Sequence, residues 1–148
     1  MKLYQKIAWG LLAALIIIQF FRIDKTNPSF DVNNDFIAIN NPPEEVKSML
    51  KNACYDCHSY ESVYPWYTNI APVSFWVKGH IDNGRKHLNF SEWGTYNEDR
   101  IDHKLEEGIE YVHEGWMPLS SYTWVHTDAK LSDDDRNRLV GYFESLRK

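Results

Sequence analysis

The sequence predicts an all-α protein, a helical domain preceded by an N-terminal transmembrane helix. Three observations predict it. Apolar residues recur at three- and four-residue spacing in several segments, each opened by a capping residue or closed by a turn. No segment alternates apolar and polar residues at the period of a half-buried strand. Residues 7–21 read IAWGLLAALIIIQFF, an apolar run interrupted only by Gln19. The 148 residues suffice for one domain and an anchor, not for two full domains. At 43% hydrophobic and 15% aromatic, the chain can build a core, which excludes wholesale disorder.

The N-terminal run, extended to residues 3–22, reaches about 30 Å as a helix, the thickness of a bilayer's hydrocarbon core. Its flanking Lys and Arg side chains can snorkel to the interface. A cleaved signal peptide needs small residues after the apolar core, whereas here it runs into Gln19-Phe20-Phe21-Arg22-Ile23-Asp24. An uncleaved anchor over residues 3–22 is therefore expected. The run has no polar face, which argues against a buried helix of a soluble domain. Lys2 and Lys6 on one side match Arg22 and Lys25 on the other, so charge leaves the orientation open.

Residues 23–42 are rich in Asn, Asp and Pro and read as a tether. The domain proper is expected over residues 43–148. Asn40-Asn41-Pro42-Pro43-Glu44-Glu45 opens the first helix, with a capping Asn, Pro in the first turn and acids at the positive end. Val46, Leu50, Ala53, Cys54 and Cys57 follow at helical spacing, which puts the cysteines on its apolar face. A turn-rich stretch precedes a short helix over residues 73–81, ending near Asn83-Gly84. Asn97 caps a longer helix with Ile101, Leu105, Ile109 and Val112 as its stripe, stopping at Gly115. Pro118 makes Gly115-Trp116-Met117-Pro118 a loop. Ser132 caps the last helix, with Asp133, Asp134 and Asp135 in its first turn and Leu139, Phe143 and Leu146 on one face.

Charge narrows the partners. Residues 23–148 carry 13 basic residues against all 21 acidic ones. Such a surface repels phosphate backbones, so no nucleic acid is expected. It suits a basic or dipolar protein partner, and it equally serves solubility.

The chain's two cysteines both lie in Cys54-Tyr55-Asp56-Cys57-His58, a C-x-x-C-H motif. Two thiols one helical turn apart can add across the two vinyl groups of a haem, and the following histidine can then reach the iron as proximal ligand. Zinc would need two further ligands, but no H-x₃₋₅-H pair exists among the six histidines. A thioredoxin-like pair lacks its βαβ setting, and a disulfide here would close a very small loop. A second axial ligand could come from Met117, His80, His87, His103, His113 or His126. Met117 lies in a Pro-restrained loop, with His113 and His126 on either side of it as alternatives. Trp66, Trp76, Trp93 and Trp116 could shield a haem edge, with core packing the simpler role. Arg85 and Tyr122 could bond haem propionates, with ordinary surface and loop roles the simpler ones.

A C-x-x-C-H on an early helix, then Gly115-Trp116-Met117-Pro118 and a closing amphipathic helix, resembles a class I cytochrome c. Tyr64-Pro65-Trp66-Tyr67, Ala71-Pro72-Val73, His80, Asn83-Gly84-Arg85, Leu88-Asn89-Phe90-Ser91-Glu92-Trp93 and Met117-Pro118 resemble the bacterial haem-binding domain family of cytochrome c-like proteins. The likeness spans roughly residues 35–147, with Leu119 standing where a second Pro would be common. The resemblance implies a cytochrome c-like helical domain around one covalent haem c, with His58 and Met117 as axial ligands. With His58 and Met117 both on the iron, no coordination site is open to substrate, so an electron carrier rather than an enzyme is expected, meeting redox partner proteins at the membrane. Covalent haem attachment outside the bacterial inner membrane would place the N-terminus in the cytoplasm and the domain in the periplasm. The alternative is a haem-based gas or redox sensor, or a peroxidase-like protein, with a displaceable distal ligand. No Ser-His-Asp pattern, phosphate loop or carboxylate pair points to a hydrolase.

Overall fold

In the computed structural model, residues 2–147 are described, and among them the only regular secondary structure is helical. The α-helices are α1 (Leu3–Ile18), α2 (Phe36–Asn40), α3 (Glu44–Ala53), α4 (Tyr55–His58), α5 (Val73–His87), α6 (Glu98–His113), α7 (Ser120–Thr123) and α8 (Asp133–Leu146). Short 3₁₀ segments at Val32–Asn34, Trp66–Asn69, Phe90–Thr95 and Thr127–Ala129 lie between them.

The expected transmembrane helix over residues 3–22 is not found. The α1 helix has 16 residues, about 24 Å at ~1.5 Å per residue. Among the described residues no helix is long and apolar enough to cross a membrane. The reason lies in Gln19. Its amide donates to the Ala71 carbonyl at 2.9 Å and accepts from the Ala71 N–H at 3.0 Å, which ends the helix before Phe20. Arg22 then donates to the Asn69 carbonyl, so residues 19–22 leave the helix to bind a loop some fifty positions away. The bacterial inner-membrane placement, N-terminus cytoplasmic and domain periplasmic, loses its support with the anchor. What remains is an apolar helix with no buried residue.

Residues 23–42, which read as a tether, carry part of the core. Asp35 caps α2 by accepting from the Ile37 N–H at 2.9 Å, and Phe36 is completely buried. The Phe36 ring meets Phe90 and Trp93 edge-on, with centroids 5.1 and 4.8 Å away. Burying such a side chain contributes about 1.5–3 kcal/mol, which anchors the segment at α2. Asn41, expected as a helix N-cap, instead closes α2 at φ 43°, a left-handed conformation that Asn tolerates. The α3 helix starts on Pro43 with Glu44 and Glu45 in its first turn.

The two long C-terminal helices follow their sequence cues. Asn97 accepts from the Arg100 N–H at 2.9 Å to open α6. Ser132 and Asp135 close a reciprocal capping box at the start of α8. These helices pack antiparallel: Arg136 bonds Val112, Phe143 lies against Gly108, and Arg147 bonds Asp102. Leu50, Leu105, Val112, Leu139 and Phe143 interlock there, continuous with Tyr55, Phe90 and Trp93 under α2. Of the four tryptophans considered for a haem edge, Trp93 is core, whereas Trp66, Trp76 and Trp116 are exposed.

Candidate functional site

The first wall of the site is five consecutive residues. The α3 helix breaks at Cys54 (φ −125°, ψ −43°), and a new turn forms as the His58 and Cys57 N–H groups bond the Cys54 carbonyl at 2.9 and 3.2 Å. The break changes which side chains face the core. Tyr55 is buried, its ring stacked on Phe90 at 5.1 Å and its hydroxyl donating to Asp35 at 2.9 Å. Cys54, Cys57 and His58 instead line a cavity of about 330 Å³, the size of a small-molecule site. The cysteines thus face a cavity lined in part by the core residues Phe90, Val112 and Phe143, and Cys54 also packs against the core.

Helix α5 backs this turn. The sequence suggests an end near Asn83-Gly84, yet α5 continues to His87 because Gly84 is used for close packing rather than as a stop. A Cβ on Gly84 would lie 2.5 Å from the Cys57 carbonyl oxygen, so no larger residue permits this approach. The approach sets the Gly84 and Leu88 carbonyl oxygens each 3.1 Å from Nδ1 of His58. Carbonyls only accept, so Nδ1 carries the proton and the Nε2 lone pair is left for a ligand. Burial holds the His58 pKa below its ordinary value, which favours the neutral ring that a metal ligand requires.

Burial also pushes the Cys54 thiol up to about 12, with Cys57 adding to the rise. Cys57 rises to about 11 through burial and then the Asp56 carboxylate. Both cysteines are free and neutral, unlike the low-pKa thiolates of redox pairs. Among the described residues, no group of three or more His, Cys, Asp or Glu side chains is placed to hold a metal ion by itself.

The second part of the lining comes from α6 and the loop after it, including Tyr111, Val112, Met117, Pro118 and Leu119. The Met117 N–H donates to the Tyr111 carbonyl at 3.0 Å, and the Met117 carbonyl accepts from Arg136 at 2.6 Å. Lys104 and Glu107, charged members of the lining, pair at 2.6 Å. His80 and His87 also line the cavity, and His80 donates its Nδ1 proton to the Trp76 carbonyl at 2.9 Å.

The other candidates lie elsewhere. His113 is exposed beside Glu114, His103 pairs with Glu107 on the surface, and His126 bonds the Tyr67 hydroxyl at 2.6 Å; none lines the cavity. Arg85 also lies outside it, bracing the chain after His58 through the Ser59 carbonyl, Ser62 and Asn27. Tyr122 does line the cavity, with its hydroxyl donated to Asp56 at 2.7 Å. Sequence reasoning gave Gly84 a different role and did not single out Arg136, since both act through backbone atoms remote in the chain.

A family model described as "Haem-binding domain" matches residues 13–145. The chain belongs to the haem-binding domain family. No curated protein and no solved structure matches it. The residues of this haem-binding domain fit the group its family implies. The cavity is walled largely by apolar side chains and backbone, as a large flat ring requires, and His58, whose Nδ1 is engaged by two carbonyls, is part of its lining. Two thiols sit one turn apart on the same wall, and a thioether side chain stands on the other part of the lining.

Proposed function

We propose that the chain is a monohaem c-type cytochrome that carries single electrons. Cys54 and Cys57 would hold the haem, each S–H adding across one vinyl group without change of oxidation state. His58 and Met117 would be the axial ligands. The observation that carries this reading is that Cys54, Cys57, His58 and Met117 line one largely apolar cavity.

The bound haem supplies one-electron Fe(III)/Fe(II) chemistry. The chain's own residues set its terms. The two carbonyls on Nδ1 fix the His58 ring and its tautomer and raise its basicity as a ligand. A Met117 thioether in place of a second imidazole would raise the potential. Leu88, Phe90, Val112 and Phe143 keep water from the lining. The acidic surface of residues 23–148 favours a basic redox partner protein, met by electrostatic steering.

The full chain, produced with cytochrome c maturation, tests this. Haem that survives denaturation, disappears in Cys54→Ser/Cys57→Ser, and shows a low-spin spectrum with a Met–iron charge-transfer band supports the carrier. A colourless protein beside a matured control cytochrome rejects it. The gas-sensing or peroxidase-like reading draws on Met117 being only half-buried in a loop with exposed flanks at Gly115 and Trp116; a high-spin spectrum would select it.

A further inference from the structure

We propose that Arg136 is the positioning residue that holds Met117 ready for axial ligation; this rests on the proposed role of Met117. A thioether is a weak ligand, so its loop must be held by something other than the iron. The loop's own sequence does this only in part: Pro118 is buried beside Met117, but residues 113–116 are exposed and Gly115 sits at φ 74°. The backbone of Met117 is nevertheless fixed on both sides. Its N–H donates to the Tyr111 carbonyl at 3.0 Å, and its carbonyl accepts from Nη1 of Arg136 at 2.6 Å.

The same Nη1 donates to the Val112 carbonyl at 2.8 Å. Val112 lies in the last turn of α6, and its carbonyl also accepts from the Gly115 N–H at 3.2 Å. One guanidinium nitrogen therefore joins the end of α6 to the loop that carries Met117. Charge-assisted hydrogen bonds of this kind are about twice as strong as neutral ones. Arg136 is itself well placed to be rigid. It stands in the first turn of α8, next to the Ser132–Asp135 capping box and one turn before the fully buried Leu139. The geometry thus passes the fixed position of α8 to Met117. Because thioethers would keep the haem attached, loosening Met117 can be read apart from haem loss.

The test uses the full, haem-loaded chain and exogenous imidazole as the probe. Arg136→Met keeps the alkyl stem and removes both bonds. The expected result is a weakened Met–iron charge-transfer band and imidazole affinity raised about tenfold, in proportion to the fraction with Met117 released. Arg136→Lys, which keeps a charged donor but is shorter and lacks the planar guanidinium, should fall between Arg136→Met and the parent, and it carries the test alone if Arg136→Met fails to fold. If both variants keep the parent's band and imidazole affinity while Met117→Ala loses the band, Arg136 is a structural bond only and this inference falls. If Met117→Ala itself keeps the band, the axial reading falls first.

Discussion

The two parts of the cavity lining are made in opposite ways. Cys54, Cys57 and His58 are local: one helical turn, with every reactive atom within five residues. Met117 is assembled, since its position depends on Tyr111 behind it and on Arg136 nineteen residues ahead. The difference teaches where each part is vulnerable. The local wall fails by losing its chemical groups or the helix that backs it. The assembled wall fails by losing bonds to backbone, while its chemical group stays in place.

Predictions follow from that contrast, largest effect first. Replacing both cysteines (Cys54→Ser/Cys57→Ser) should abolish denaturation-resistant haem, read by haem stain on a denaturing gel; either single variant should retain one thioether and part of the stain. Gly84→Ala should destabilise the fold by about 1–3 kcal/mol, read as a fall in denaturant midpoint. Its Cβ would meet the Cys57 carbonyl oxygen at 2.5 Å, and backbone cannot move aside as a side chain can. An unchanged midpoint would mean that α5 is not tied to the local wall.

Met117→Ala should remove the charge-transfer band and lower the potential, read by voltammetry, while covalent haem stays. Its stability loss should fall below the ~2–5 kcal/mol of a fully buried Met→Ala change, because Met117 is half-buried. The smallest effect concerns the α6–α8 pairing on which the assembled wall rests. The Arg147 guanidinium, bonding Asp102 at 2.7 and 2.9 Å, holds its carboxyl below the usual carboxylate range. The native state therefore binds fewer protons there than the unfolded chain. That contribution is present above about pH 4 and is lost as pH falls through the lowered value. Asp102→Asn should flatten the acid limb of the stability curve slightly, the pair being exposed and screened.

Several elements could be read from residues alone because their causes are local. The Asn97 and Ser132 caps, the stripe through Ile101, Leu105, Ile109 and Val112, and the C-x-x-C-H turn each need only neighbours within a few positions. Misreadings arose where a local cue was used for a distant contact. Gly84 looks like a helix end and is a packing site; Asn41 looks like an N-cap and closes the preceding helix. The choice among distal candidates was equally opaque. Proximity in sequence favoured His113 and His126 as alternatives to Met117, yet the fold points them elsewhere and brings His80 and His87 to the cavity.

The sequence by itself determined the helical class, the capped α6 and α8, and the set of groups able to bind a haem, because helix caps, apolar period and thiol spacing are short-range properties. Only the tertiary structure decided the tautomer of His58, the setting of Met117 and the length of α1. Each of these turns on one hydrogen-bonding group meeting a backbone partner 19 to 52 residues away: His58 with Gly84 and Leu88, Met117 with Arg136, and Gln19 with Ala71. No window of sequence contains both members of such a pair, so burial and chain packing had to bring them together.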